Sequence, residues 1–508
     1  MYNSQACAKV IISNVLLLIG LLLITYHNNV GYAQTLGTGA LIDESKYIDV
    51  PLATPLTKDS YGKLPIRYSL KNFCPTPGDQ GTTGTCVGWS VAYGARTIIE
   101  AACKNLGNPD QQSERDSIAF SPSFVYNQIL AEEGISDCSI GGYISDALEL
   151  LRDTGALTIK EFPFTPDCSI LPDVSKIGAA KHYKIMGFQR LTFQNNDELK
   201  IQKVKESIAA NMPVIVGIKI LDNLKKTVHE NYTWNPAEGN PATALTHAVL
   251  VVGYDDNAGV FELMNSWGNQ WCNKGFVYIK YSDFAKQMRE AYHILYDVPP
   301  IKGGHTKPNL AANLTFKHLA KDKAVAGENC NGQSLGQMSA RLDSTTYKML
   351  NRYSAYTSYQ IQLTTGVKNM AVYGFSFDNS GHTSLLYPFQ PDVINLYNPN
   401  SKNVKINPII PFEGATVAIP HEDYCMQLDE QIGTVNCFLF SRNELDIARL
   451  LADIEQLPTG TLHERLALCL KDKMGKPEDI KFAASGIGFE ANVADFVVIP
   501  LMIDMNHY

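Results

Sequence analysis

The 508-residue sequence has few charged residues and no long basic run. Charged residues make up 19% of the chain and the formal net charge is −8, so the composition does not favour nucleic-acid binding. No Cys-x-x-Cys pair, internal repeat or low-complexity stretch is present, and without such a cysteine pair a structural zinc site has no support. We therefore predict no metal, no cofactor and no nucleic-acid partner. The 45% of hydrophobic residues is instead typical of a globular protein.

One apolar run near the N-terminus, residues 10–26, is long enough to suggest a membrane or export segment. It follows Lys9 and precedes "GYA", a pattern typical of a secretory signal peptide that is cleaved after Ala33. An uncleaved anchor is the alternative, but Ser13 and Asn14 interrupt the run and leave it short for a membrane span. We therefore predict a secreted or periplasmic protein that has no membrane association once the signal peptide is removed.

The length of the chain predicts at least two domains. Its central part begins with helical periodicity and continues with strand-like runs such as "HAVLVVGYD", an order that predicts an α+β fold. Proline and glycine in "VPPIKGGHTKPNLAAN" then indicate a linker, and the remainder is rich in strands. The predicted boundaries are a signal peptide at 1–33, a short leader at 34–60, a mixed α+β domain at 61–298, a linker at 299–329 and a β-rich accessory domain at 330–508.

Two hairpins are predicted in the accessory domain. "AVYGFSFDNSGHTSLLYPF" alternates apolar and polar residues on both sides of a turn at residues 379–381, and "YCMQLDEQIGTVNCFLFS" has a similar pattern. No catalytic group of residues is evident in this part of the chain. We therefore expect a binding or positioning role for it, with no partner assigned.

Three segments have to be considered together, namely "DQGTTGTCVGWS" with Cys86, "LTHAVLVVGYDD" with His247, and "LMNSWGNQWCNKGF" with Asn265. In order and spacing they resemble the papain-like cysteine proteases, the C1 peptidase family. A fourth segment, "CSIGGYISDALELLRDTGALTIKEFPF", resembles the Cys-x-Gly-Gly region of that family and the helix after it. The resemblance covers about 235 residues and implies a papain-like two-lobed fold, with a helical lobe and a β-barrel-like lobe.

The resemblance also implies a role for each catalytic side chain. Cys86 would be a nucleophile in the first turn of a helix, where the helix dipole lowers the pKa of a thiol. His247 would hold it as a thiolate–imidazolium pair, and Asn265 would orient the imidazole ring. Gln80 would donate its side-chain amide to the oxyanion, with the backbone N–H of Cys86 as the second donor.

Further positions are implied to contact or flank the substrate. Gly141 and Gly142 would pair with the backbone of an extended peptide, while Ile144 and Gly217 would form the walls of a deep pocket for apolar or aromatic side chains. For Gly217, easier strand packing is an equally good explanation. Trp267 would shield the bond between histidine and asparagine, and Trp271 would pack beside it.

The sequence also departs from the family pattern. Thr83 replaces a cysteine and Val87 replaces an aromatic residue on the two sides of Cys86. The leader is shorter than the usual inhibitory prodomain, so either the enzyme is not kept latent or another segment, such as the accessory domain, covers the cleft. Three disulfide pairs are considered, namely Cys74–Cys272, Cys138–Cys168 and Cys425–Cys437.

Taken together, the sequence predicts a secreted cysteine endopeptidase that hydrolyses peptide bonds of a peptide or protein substrate. The alternative is a catalytically silent protein that uses the papain fold for binding. Acyl transfer of the transglutaminase type also uses a cysteine–histidine pair, but its third group is usually aspartate, and the Asn-Ser-Trp context argues against it.

Overall fold

The structure is a computed structural model that describes residues 36–61, 64–192, 196–226, 232–296, 308–319, 335–389, 404–428 and 433–505. The predicted signal peptide lies outside these residues. Within the described ranges, no helix is long and apolar enough to cross a membrane.

Helices dominate the described part of the chain up to residue 180. The α-helices of the described residues up to 296 are α1 (Glu44–Asp49), α2 (Lys58–Tyr61), α3 (Cys86–Gly88 and Thr97–Cys103, joined by π-helical Trp89–Arg96), α4 (Gln112–Ser117), α5 (Pro122–Glu132), α6 (Ile144–Asp153), α7 (Val174–Ala180), α8 (Asp197–Ala209), α9 (Asp222–Lys225) and α10 (Tyr281–Gln287). Short 3₁₀ turns lie at Lys71–Phe73, Pro109–Gln111, Lys181–Tyr183, Pro236–Glu238 and Pro241–Thr243.

Sequence signals explain the limits of these helices. Ser121 caps α5 by accepting a hydrogen bond from the N–H of Phe124, and proline occupies the first helical position. In α6 the buried residues Ile144, Ala147, Leu148 and Leu151 follow helical spacing. These helices therefore form where local capping and apolar periodicity agree.

An eight-stranded sheet follows the helices. The strands of the described residues up to 296 are β1 (Ala40–Leu41), β2 (Arg67–Ser69), β3 (Gly142–Tyr143), β4 (Gly187–Arg190), β5 (Val214–Ile220), β6 (Thr233–Trp234), β7 (Leu245–Asp255), β8 (Val260–Met264), β9 (Phe276–Lys280) and β10 (Met288–Leu295). The sheet has the order β4-β10-β5-β7-β8-β9-β6, with β2 paired to β7, while β1 and β3 form a separate parallel pair. Strand β7 lies inside the sheet and is buried from residue 247 to 254. The predicted α+β class is confirmed.

The described residues between 308 and 505 form two further sheets of seven strands each. The strands are β11 (Leu310–Leu319), β12 (Leu335–Met338), β13 (Ala340–Asp343), β14 (Thr346–Met349), β15 (Ser358–Thr365), β16 (Met370–Phe377), β17 (Thr383–Tyr387), β18 (Ile409–Ile410), β19 (Thr416–Ile419), β20 (Met426–Gln427), β21 (Val435–Ser441), β22 (Ile480–Phe482), β23 (Ile487–Ala491) and β24 (Val498–Asp504). Two helices, α11 (Ile447–Gln456) and α12 (Leu462–Leu470), and 3₁₀ turns at Lys471–Lys473 and Pro477–Asp479 complete this region. We call residues 308–505 the accessory region.

Each of these two sheets brings together strands that are distant in sequence. One has the order β19-β15-β11-β23-β22, with β12 on β11 and β20 on β15; the other has the order β13-β14-β24-β21-β16-β17, with β18 on β16. A large apolar core lies mainly between them, and a smaller one packs α11 and α12 against the second sheet. The accessory region is therefore β-rich, as predicted.

One of the two hairpins predicted for this region is present in the structure. The first hairpin is confirmed, since β16 and β17 pair antiparallel, but the second is wrong because β20 and β21 belong to different sheets. Strand β11, which lies inside the predicted linker, is central in its sheet.

The cysteine pairing is partly as predicted. The Cys138–Cys168 disulfide is present. The Cys74–Cys272 pairing is wrong, because Cys74 is a buried thiol that donates to the carbonyl of Leu70. The Cys425–Cys437 pairing is also wrong, since Cys437 is a buried thiol and Cys425 is in a different disulfide.

Candidate active site

Cys86 begins α3 and its side chain is fully buried. The first N–H groups of a helix have no partner within it, so the positive end of the helix dipole lies at this thiol. Backbone N–H groups of Ala248, on β7, and of Gly39 form hydrogen bonds that lower the pKa of the thiol. Burial outweighs them and raises the pKa of Cys86 to about 11.

His247, on β7, is fully buried and makes a 2.8 Å hydrogen bond from Nε2 to Oδ1 of Asn265. The same Oδ1 accepts the backbone N–H of Ser266 at 2.8 Å, which identifies this atom as an acceptor and Nε2 as the donor. The other ring nitrogen, Nδ1, is buried and has no hydrogen-bond partner among the described residues. It is therefore the atom that can accept a proton. Burial lowers the pKa of His247 to about 4.

The two tryptophans after Asn265 enclose this histidine. The indole of Trp267 stacks on the imidazole of His247, with ring centroids 5.0 Å apart and planes 18° from parallel. Trp271 packs edge-on against Trp267, at 5.1 Å. Both side chains are almost completely buried, so water has little access to the hydrogen bond between His247 and Asn265.

The side chain of Gln80 is held between the loop that precedes Cys86 and the segment that follows β8. Its Nε2 donates to the carbonyl of Thr83 at 2.7 Å, and its Oε1 accepts from the hydroxyl of Ser266 at 2.5 Å. The hydroxyl of Thr83 in turn donates to the carbonyl of Gln80 at 2.7 Å. Thr83, which stands where the family has a cysteine, therefore helps to fix the loop before Cys86 by hydrogen bonding.

Residues 36–43, which we call the cleft segment, lie across this site. The N–H of Gly37 donates to the carbonyl of Gly81 at 2.9 Å. The carbonyl of Gly37 accepts a hydrogen bond from the indole N–H of Trp267 at 2.9 Å. A β-carbon on Gly37 would come within 3.0 Å of Nε2 of Gln80, and one on Gly39 within 2.5 Å of the carbonyl oxygen of Gly84. The segment thus passes so close to Gln80 and Gly84 that it needs glycine.

The cleft segment also occupies the positions expected to pair with a peptide. Strand β1 pairs in parallel with β3, and the N–H of Gly142 donates to the carbonyl of Gly39 at 2.9 Å. A β-carbon on Gly141 would overlap that same carbonyl. On the opposite side, the hydroxyl of Thr246 donates to the carbonyl of Ala40 at 2.5 Å. The leader itself therefore covers the cleft, contrary to the expectation that so short a leader would leave this to another segment.

Ile42 fills the pocket that was predicted from Ile144 and Gly217. A β-carbon on Gly217 would lie 2.7 Å from Cδ1 of Ile42, and 3.5 Å from both Cδ1 of Ile144 and Cβ of Glu290. The structure thus places Ile144 and Gly217 together, and it adds a carboxylate to a pocket that was expected to be apolar.

The carboxylate of Glu290 is buried and its hydrogen bonds come from neutral donors. Oε1 accepts the backbone N–H of Asp43 at 3.3 Å, and Oε2 accepts the hydroxyl of Tyr292 at 3.2 Å. Burial, supported by the nearby charges of Asp43 and Asp146, raises the pKa of Glu290 to about 7. The sequence analysis did not identify this acidic group, because nothing in the local sequence shows that Glu290 lies beside Gly217.

Covered in this way, the cysteine and histidine are both neutral near pH 7. The thiol of Cys86 has a raised pKa and the imidazole of His247 a lowered one, each mainly because burial disfavours the charged form. The thiolate–imidazolium pair implied by the resemblance is therefore not the favoured state of the covered site.

A helical half and a sheet half that bring a buried cysteine, a histidine and an asparagine to one cleft are typical of cysteine proteases. Comparison with known families agrees, because residues 78–294 match the papain family cysteine protease. We call the matched residues 78–294 the papain-family domain because of this similarity, and the accessory region lies beyond them.

Individual relatives are distant. The chain is 24% identical over 241 residues to a cysteine protease of Blomia tropicalis, covering 46% of this chain and 66% of that protein. It is 24% identical over 270 residues to falcipain-2b of Plasmodium falciparum (isolate 3D7), covering 49% of this chain and 52% of that protein. The chain thus spans less than two thirds of the length of these relatives. Among solved structures, xylellain, a cysteine protease from Xylella fastidiosa, shares 23% identity and a TM-score of 0.41, covering 52% of this chain and 97% of that one.

Proposed function

We propose that the chain is a cysteine endopeptidase whose nucleophile is Cys86. The observation that carries this proposal is the hydrogen bond from Nε2 of His247 to Asn265, which leaves Nδ1 as a base in the cleft that contains the thiol. The substrate is a peptide or protein. The predicted export and the predicted domain limits stay predictions.

In the proposed reaction, Nδ1 of His247 takes the proton from Cys86, and the thiolate attacks the carbonyl carbon of the scissile amide. The resulting oxyanion accepts hydrogen bonds from the amide of Gln80 and the backbone N–H of Cys86. His247 then gives its proton to the departing amine, which leaves a thioester on Cys86. Water, deprotonated by His247, hydrolyses the thioester and releases the acid product and the free thiol.

The test of this function is to incubate the chain with a mixed peptide pool under mild reductant and to identify new N-termini by mass spectrometry. Cleavage that stops when Cys86 is alkylated supports the proposal. Absence of cleavage even after the cleft segment is displaced would favour the alternative, a silent papain-fold binding protein.

We predict that Gly39→Ala activates the chain. The added methyl group would lie 2.5 Å from a backbone oxygen of Gly84, and overpacking of this size costs about 1–3 kcal/mol. The open state should become about tenfold more populated, and both peptide cleavage and alkylation of Cys86 should accelerate by about that factor. Gly178→Ala is the matched control, because a β-carbon there meets nothing within 4 Å. Equal rates for the two variants would mean that the cleft segment does not limit access.

We also propose that the pocket occupied by Ile42 accepts a long basic side chain, whose apolar stem would contact Ile144 and whose cation would meet Glu290. Because the pKa of Glu290 is raised to about 7, its carboxylate ionises as the pH rises. Preference for arginine over leucine at this position should therefore increase from pH 5.5 to 8. Parallel kcat/KM measurements should show no such trend for Glu290→Gln, and a pH-independent preference in the wild type would contradict the assignment.

A further inference from the structure

Residues 50–60, which we call the seam segment, run between the papain-family domain and the accessory region. The carbonyl of Pro51 and the N–H of Ala53 bond to the backbone of Arg190, on β4, at 3.1 and 2.8 Å. Leu52, in between, directs its N–H to the carbonyl of Lys405 and its carbonyl to the N–H of Asn407, both at 2.8 Å. The leader therefore lies as a short middle strand between two other segments, parallel to both.

Side chains on the accessory region make this contact selective. Leu52 is 2% exposed and belongs to the apolar core of the accessory region. The hydroxyl of Thr54 pairs with that of Tyr387 at 2.5 Å and donates to the carbonyl of Asn407 at 3.1 Å. Main-chain bonds give affinity for an extended segment, while buried side chains decide which segment binds. The accessory region thus forms a site for an apolar residue followed, two positions later, by a hydroxyl.

The contact continues toward the C-terminal end of the seam segment. The N–H of Thr57 donates to the carbonyl of Thr416, on β19, at 2.9 Å, and the hydroxyl of Ser60 accepts the N–H of Thr416 at 3.2 Å. The N–H of Lys58 lies 3.1 Å from both carboxylate oxygens of Glu422. Three successive parts of the seam segment are therefore held by the accessory region.

A stiff connection links the seam segment to the cleft segment. Helix α1 joins them and is capped by Asp43, whose carboxylate accepts the N–H groups of Ser45 and Lys46. The carbonyl of Val50, at the end of this helix, accepts from Nε of Arg190 at 2.8 Å. Only six helical residues separate the two segments, so a displacement of one is transmitted to the other.

We propose that the accessory region is a binding module for the leader of its own chain, and that by holding the seam segment it keeps the cleft segment over Cys86. This inference rests on the proposed function only for its consequence, latency. Tethering raises the effective concentration of the cleft segment at the cleft to the millimolar range. Tyr47 and Lys46 also attach α1 to the papain-family domain, so the module adds to contacts that exist without it.

The test uses the full chain with Thr54→Val and Tyr387→Phe, each of which removes one hydroxyl from the seam. The readouts are the rate at which iodoacetamide alkylates Cys86, followed by mass spectrometry of its peptide, and hydrogen exchange in residues 36–43. Tyr387→Phe removes one buried hydrogen bond, and Thr54→Val removes that bond together with the one to the carbonyl of Asn407. We expect both readouts to increase about 3–10-fold in Tyr387→Phe and at least as much in Thr54→Val. The double variant should add little, since the two hydroxyls share one bond.

Thr383→Val and Tyr347→Phe are matched controls, because they remove buried hydroxyl bonds inside the accessory region, to Glu455 and to the carbonyls of Ala483 and Gly488. These two variants should leave both rates unchanged. Unchanged alkylation of Cys86 in the two seam variants would overturn the proposal, whether or not residues 51–60 exchange faster. Neither readout requires turnover, so a chain that opens in this way but cleaves no peptide would contradict only the proposed function.

Discussion

Replacing Cys86 by alanine is expected to lower kcat/KM for peptide cleavage by at least about 10³-fold, which leaves only the contribution of binding and of the oxyanion donors. No other described side chain combines a thiol, the start of a helix and a neighbouring histidine base. The measurement is steady-state hydrolysis of a fluorogenic peptide, with Gly39→Ala as the common background so that latency does not hide the effect.

Cys103→Ala is the matched control, because this thiol lies at the other end of α3. Cys103→Ala should leave kcat/KM within about twofold of the value for the Gly39→Ala background, since substitutions away from special features usually have small effects. Residual activity in Cys86→Ala comparable to the Cys103→Ala rate would show that a different group attacks the substrate.

Gln80→Ala is expected to lower kcat by about 10²-fold with little change in KM, because an oxyanion donor acts mainly on the charge that develops in the transition state. The side chain already has a fixed orientation, given by Thr83 on one side and Ser266 on the other. Ser266→Ala should therefore produce a smaller loss of the same kind, as the amide stays but is less well positioned.

Gln128→Ala serves as the control for Gln80→Ala, since Gln128 also donates its side-chain amide to a carbonyl, that of Phe124, but lies on α5. Thermal unfolding of all variants separates loss of fold from loss of rate. If Gln80→Ala raised KM and left kcat unchanged, the residue would bind substrate instead of stabilising the transition state.

The proposed catalytic residues could be named from the sequence because their chemistry depends on short motifs. Gln80 and Cys86 lie within one loop and helix start. His247 lies near the start of one strand-like run and Asn265 directly follows another, and the apolar residues of both runs are buried in the sheet. Residue type and order were therefore enough to propose that they meet, although the distances between them were not predictable.

Features that depend on tertiary contacts were not predictable in the same way. The "LGTG" of the leader shows no periodicity, and only the approach to Gly84 and Gln80 explains its glycines. From the sequence, Glu290 would be taken for an exposed residue of a strand. The pairing of β10 with β5 instead places it beside Gly217. The false hairpin across β20 and β21 arose because alternation predicts strands but not their partners.

The measurement that tests the central claim most directly is labelling of the Gly39→Ala variant with a peptidyl electrophile, followed by mass spectrometry to locate the label. We predict one label per chain, on Cys86, and labelling at least tenfold slower at pH 7 when His247 is also replaced by alanine, because the thiol then lacks its base. Labelling of Cys74, Cys103 or Cys469 as fast as that of Cys86, or a rate that does not depend on His247, would contradict the account.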